Sequence, residues 1–421
     1  MTSRKAFIHQ AGLALFSAGM GGIPTFLAKA ASSNKLLSPY KKNKTLVFIF
    51  QRGAMDGLMA VSPFTDSFLK AARPTLFMDA AKAPAGKGLV DLDGRFGLHP
   101  AMASFQNLFK EKQLAIVHGM GSPNTTRSHF DAQDYMESGT PFNKGTASGW
   151  LNRAVGLMGH EATPFRAVSL TSSLPRSLYG DEAVLAINNL QDFAIQLKDN
   201  PTGANAAAKS FEELYDQTSS SLLGKTGKES FDAMKILGKA TIKNYQPANG
   251  AIYPNSPLGN SLKQIAQLIK MEVGLQVAFA ESNGWDTHLN QGTENGVFAR
   301  NAADLSNSIA AFWKDIDALQ DDVTVMTSTE FGRTVKQNGS NGTDHGRASC
   351  SFILGNQVNG GKVHGNILPL APENLADGRD LAVTTDFRSI FSEVANAHLK
   401  INDNKILFPD WTAGKIGVMK I

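Results

Sequence analysis

The sequence predicts an α/β fold built on a mainly parallel sheet, and three consecutive stretches carry that prediction. TLVFIFQRG (45–53) is a β-branched and aromatic run of strand length ending in glycine, as a buried strand does. HPAMASFQNLFKEKQ (99–113) sets its apolar residues at helical spacing, and LAIVHGMG (114–121) reads as a second short buried strand. Strand, helix, strand at this separation is the pattern of a parallel crossover.

The remaining elements follow in order. Further strands are expected at FRAVSL (165–170), AVLAIN (183–188), LQVAFAE (275–281), VTVMTS (323–328) and SFILG (351–355). From about 189 to 271 the chain reads as mainly helical: FEELYDQTSSSLLG, ESFDAMKILGKAT and NSLKQIAQLIKMEVG have helical periodicity, interrupted by NPTG and YPNSPLG. This is a helical section within a single domain expected over 45–421. No internal repeat or heptad array is evident.

The N-terminus reads as an address. MTSRKAFIHQ is basic and polar, AGLALFSAGMGGIPTFLAKA is moderately apolar, and Ala28-Lys29-Ala30 offers the small-x-small pattern of a signal-peptidase site. Residues 1–30 are therefore expected to be an export signal and 31–44 a lead-in linker, which places the mature protein in the periplasm or outside a bacterial cell. SRKAFI is similar to a twin-arginine signal, with Lys5 where the second arginine belongs. No other stretch reaches the roughly 18 to 20 apolar residues needed to cross a bilayer, so no membrane span is expected after processing.

Composition narrows the partners. With 42% hydrophobic residues the 421-residue chain can bury a substantial core. The formal charge of +4 owes three of its positive groups to Arg4, Lys5 and Lys29, and the rest is nearly balanced, which argues against nucleic acid or an anionic membrane surface. Cys350 is the only cysteine, so an internal disulfide and a cysteine-based zinc site are both excluded; within SCSFILG it reads as core.

In an open α/β sheet, ligands gather where strand carboxyl ends meet their loops. The polar clusters fall there: Asp56 after the first strand; Ser128, His129, Asp131 and Asp134 after LAIVHGMG; Asp286 and His288 after LQVAFAE; Glu330 after VTVMTS; Asp344 and His345 shortly downstream. Ser128 is a natural N-cap for a helix through HFDAQDYMES, with Asp131 in a capping-box-like position, and a helix start also favours an anion. Asp56 equally suits turn initiation with Gly57, and Trp285 reads as packing. A GxSxG elbow, a phosphate-binding GxxxxGK[ST] loop, an HExxH pair and a complete GxGxxG are all missing. Carboxylates and imidazoles with one hydroxyl remain, the constituents of a metal-dependent hydrolase.

LVFIFQRGAMDGL, FGLHPAM, SHFDAQDYMESGTP, GWLNRA, GWDTHLNQG and TEFGRTVKQNGSNGTDHG, with the export signal, together resemble the secreted bacterial domain-of-unknown-function family 1501 from about Thr45 onward. That family in turn resembles the alkaline phosphatase and sulfatase superfamily. The resemblance implies a mainly parallel sheet sandwiched between helical layers, one or two zinc-like divalent ions, and hydrolysis of a small anionic phosphate or sulfate ester. It implies Asp56, Asp286, His288, Glu330, Asp344 and His345 as the metal set and Ser128 as nucleophile or anchoring hydroxyl, with Arg127 and Arg333 available to bind oxyanions. Asp286 and His288 stand one residue apart where the superfamily has three. Its later Asp-His pair falls either on Asp344-His345, with His364 as the last histidine, or, as preferred here, on Glu330, with His345 last. The alternative is a non-enzymatic periplasmic protein that retains this fold and binds a ligand or partner. A Ser-His-Asp esterase ranks third, because adjacent Ser128 and His129 make a poor nucleophile and base pair.

Overall fold

The computed structural model describes residues 43–80, 88–159, 163–190, 245–412 and 414–420. The expected export signal, nearly all of the lead-in linker, and the helices read in FEELYDQTSSSLLG and ESFDAMKILGKAT lie outside the described residues. The strands are β1 (Thr45–Gln51), β2 (Val61–Ser62), β3 (Val90–Asp91), β4 (Gly97–Leu98), β5 (Leu114–Gly121), β6 (Ala167–Ser169), β7 (Leu185–Ala186), β8 (Val277–Ser282), β9 (Val323–Thr329), β10 (Ser349–Leu354), β11 (Val363–His364) and β12 (Thr385–Asp386). The helices are α1 (Gly57–Ala60), α2 (Ser67–Ala72), α3 (Ser104–Lys110), α4 (His129–Ser138), α5 (Trp150–Leu157), α6 (Pro257–Lys270), α7 (Val297–Ile316), α8 (Phe387–His398) and α9 (Asn404–Leu407).

The main sheet runs β11-β5-β10-β9-β1-β8-β6-β7, with β12 pairing β5 beyond β11; β2, β4 and β3 form a small antiparallel sheet apart. β1 lies between β8 and β9 and is parallel to both, whereas β10 runs antiparallel to β5 and β9. The α/β class and the mainly parallel sheet thus agree with the sequence reading.

Alternation along β1 sends side chains to two cores, as a period-two strand must. Val47 and Ile49 pack with Phe105 of α3, Ile265 of α6 and Leu305 and Phe312 of α7. Leu46, Phe48 and Phe50 face the other way, toward Met136 of α4, Trp150 of α5 and Phe391 of α8. Phe48 meets Trp150 and Phe391 edge-on, with ring centroids 5.4 and 5.3 Å apart. The sheet is therefore covered on both faces, which explains why its strands read as continuous apolar runs. Cys350 is fully buried and burial pushes its thiol pKa up, in keeping with a packing role.

This topology positions the site. The carboxyl ends of the parallel strands β1, β5, β8 and β9 share one edge of the sheet. The chain leaving β9 loops over that edge before starting β10 antiparallel, so residues 330–348 stay there.

Candidate metal centre

His129 enters from α4. Ser128 caps that helix, its Oγ accepting from Asp131 N at 3.5 Å, and Gly139 closes it in the left-handed conformation. His129 is the first helical residue, and its Nδ1–H donates to Glu330 Oε1 at 2.8 Å. Glu330 directly follows β9 and is fully buried; it also accepts from Gln133 Nε2 and Gly53 N, each at 2.9 Å, and from Thr329 Oγ1 at 2.9 Å. Burial opposes the Glu330 charge, but the bonds from His129, Gln133 and Gly53 outweigh it and hold the carboxyl pKa below its ordinary value. Reciprocally, the hydrogen bond to Glu330 raises the His129 pKa.

Two loops supply the rest. His345 donates Nδ1–H to the Arg127 carbonyl at 2.9 Å, and His288 donates Nδ1–H to Asp344 Oδ1 at 3.1 Å. All three acceptors are fixed as acceptors, so each ring carries a proton on Nδ1 and, when neutral, presents Nε2 as its lone-pair nitrogen. Those nitrogens converge: His345 Nε2 lies 3.0 Å from His129 Nε2 and 2.9 Å from His288 Nε2. Asp286 Oδ1 lies 3.6 Å from His129 Nε2, 3.1 Å from His288 Nε2 and 3.3 Å from His345 Nε2. Burial lowers the His345 pKa, which keeps its Nε2 available as a lone pair. Burial also works against the Asp286 charge, but Arg333, His288 and His129 outweigh it and lower its pKa.

Lone pairs and a carboxylate packed this closely repel unless a proton or a metal cation is shared among them. Two ligands of a tetrahedral ion, each about 2.1 Å from it, stand about 3.4 Å apart. The separations within His129, Asp286 and His345, namely 3.0, 3.3 and 3.6 Å, bracket that value, and His288 lies beside Asp286 and His345 but outside the group of three whose donor atoms are all within 4.8 Å of one another. Each imidazole is also oriented by an acceptor on its far nitrogen, the arrangement that fixes metal-binding histidines. The donor set is compatible with a divalent metal ion.

The fold thus brings together Asp286, His288 and His345 of the expected metal set and adds His129. Glu330 and Asp344 are placed behind His129 and His288, so their expected role as direct ligands is corrected to that of orienting acceptors. Asp344 further accepts from Asn338 Nδ2 at 3.0 Å, and that bond is the first cause of its lowered pKa. Asp56 is corrected too: it is buried, caps α1, and spends its oxygens on Arg73 at 2.8 and 3.1 Å and on Gln291 at 2.8 Å. Arg333 is buried and saturated by the carbonyls of Gly53, Ala54, Trp285 and Thr343 and by Asp286, so it braces the loops and has no free face for an oxyanion. The Arg127 guanidinium is held by Asp377 and Asp380 at 2.6 and 2.5 Å. Asp131 and Asp134 pair with Lys144 and Arg176, and His364 donates Nε2–H to the Asn359 carbonyl at 2.9 Å, outside this cluster.

The sequence matches the family described as "Protein of unknown function (DUF1501)" over residues 43–407. The chain belongs to the DUF1501 family. Among solved structures this DUF1501 chain is similar to the PsFucS1 sulfatase from Pseudoalteromonas sp., at 12% identity and a TM-score of 0.40, over 95% of this chain and 78% of that one. It is also similar to the C-terminal periplasmic domain of EcEptC from Escherichia coli, solved in complex with Zn, at 10% identity and a TM-score of 0.33, over 76% of this chain and 74% of that one. No curated protein matches it. Among the described residues no helix is long and apolar enough to cross a membrane.

Proposed function

We propose that this protein is an exported, metal-dependent hydrolase of a small phosphate or sulfate ester. The observation that carries the reading is the convergence of three histidine Nε2 atoms on Asp286 Oδ1, with every ring oriented by an acceptor on Nδ1. A divalent ion, when bound there, polarises an ester oxygen and lowers the pKa of water. The chain's own contribution is to hold three donors, on His129, Asp286 and His345, within 4.8 Å of one another, with His288 beside Asp286 and His345.

Ser128 supports the ester reading from its place one residue before His129. It is half-buried at the start of a ten-residue helix, where free N–H groups favour an anion. As nucleophile its Oγ would form the bond to phosphorus or sulfur while the alcohol leaves with the hydroxyl proton, and water would then release the product and restore the serine.

The rival reading, a periplasmic protein that binds without catalysis, draws on one observation: Arg127 and Arg333 are both engaged by carboxylates, so neither greets a substrate oxyanion unopposed. Metal analysis of purified protein followed by a panel of phosphate and sulfate esters separates the two. Bound metal with hydrolysis supports the enzyme; bound metal with no hydrolysis of any ester favours the binding protein.

A further inference from the structure

We infer that Gln291 is the positioning residue of the metal centre: its one side-chain oxygen sets the spacing between the two loops that deliver Asp286, His288 and His345, and Asp56 with Arg73 is its anchor. The inference rests on the reading that the histidine cluster holds a metal ion.

Gln291 is fully buried, and Oε1 accepts from Thr287 Oγ1 at 2.9 Å and from Thr343 Oγ1 at 2.7 Å. Thr287 is the residue between Asp286 and His288, and Thr343 immediately precedes Asp344-His345. A single acceptor atom therefore grips both loops, one residue from Asp286 and His288 and two residues from His345. The grip is reinforced along the backbone, where Thr343 N donates to Thr287 O at 3.2 Å and Gln291 N donates to Asn341 O at 2.9 Å.

The other end of the amide is equally committed. Nε2 donates to Asp56 Oδ2 at 2.8 Å, and Asp56 forms a buried pair with Arg73, whose Nε and Nη2 donate to the carbonyls of Val335 and Thr334 at 2.8 Å each. A carboxylate accepting from Nε2 also polarises the amide, which strengthens Oε1 as an acceptor for the two hydroxyls. Asp56 thereby acts on the site at one remove. Both threonine hydroxyls are buried, so losing Oε1 would leave two donors unsatisfied and free the loops to separate.

The test is titration of the metal-free full chain with Co²⁺, following the visible d–d bands that report coordination geometry, alongside thermal unfolding. Wild type should bind. Gln291→Met and the near-isosteric Thr343→Val should each weaken Co²⁺ binding by about 10- to 100-fold, the usual effect of removing an outer support, with altered band intensity, whereas Thr343→Ser, which keeps the hydroxyl, should restore wild-type binding. Val394→Ala, in the core on the opposite face of the sheet, controls for general destabilisation and should lower the unfolding temperature without changing affinity. Should Gln291→Met fail to fold, Thr343→Val carries the test. Wild-type affinity and spectrum in Thr343→Val, or equal weakening in Val394→Ala at a matched loss of stability, overturns the role given to Gln291. A wild-type chain that takes up no cobalt overturns the metal reading itself, and this inference with it.

Discussion

Glu330 reaches the site only through His129, so its removal should be read in metal affinity before anything else. Glu330→Gln keeps an acceptor but loses the charge that orients the ring, and zinc affinity in a competition titration should fall about 10- to 100-fold; unchanged affinity would show that the pairing is incidental. Ser128 makes a different demand. If it only caps α4, Ser128→Ala should cost about 0.5 to 2 kcal/mol of stability and Ser128→Asp should recover most of it. As the nucleophile, both variants should lose ester hydrolysis while keeping their metal, and full hydrolysis by Ser128→Ala would rule that role out. Residue by residue, the convergence of Asp286, His288 and His345 was legible in the sequence, because carboxylates and imidazoles crowd the loops after buried strands. It placed His129 on the same edge without a role, since a histidine beside a serine N-cap looks like part of the cap. Asp56 misled for the complementary reason: an aspartate after a strand and before a glycine looks the same whether it binds an ion or caps a helix and pairs with a distant arginine.

At the level of elements, the site depends on loops that touch almost backbone to backbone. A Cβ on Gly342 would lie 2.2 Å from the His288 carbonyl oxygen, and Gly53, at φ +113°, would set one 2.5 Å from Asp286 N. Gly342→Ala must therefore push the 340s loop away from His288, and we expect lower thermal stability together with weaker zinc binding; stability lost without any change in binding would mean the loops are not coupled to the cluster. The long buried strands β1, β5, β8, β9 and β10 were legible because both their faces are covered and their sequences are apolar throughout. Of the two-residue strands, β7 lies within the expected run AVLAIN, whereas β2, β3, β4, β11 and β12 were not legible, since two residues carry no periodicity. Nor could the antiparallel direction of β10 be read, although it returns His345 to the edge where Asp286 stands.

For the molecule as a whole, a site assembled from α4 and two distant loops does not exist in the unfolded chain, so metal binding should be linked to folding. Free zinc at about 100 times its Kd should add about 2.7 kcal/mol, seen as a higher unfolding temperature that chelator reverses; an unfolding temperature indifferent to both would argue against the linkage. The proposed export is checked separately by intact mass of periplasmic protein, which should correspond to cleavage near Ala30 and would refute the signal reading if the chain still began at Met1. The most direct test of the central claim is the metal content of purified wild type and His345→Ala after equilibration with zinc and removal of excess. His345 Nε2 is the atom nearest to both other imidazole nitrogens, so wild type should retain about one ion per chain and the variant close to none. Equal retention by the two proteins, or none by wild type, would contradict the account.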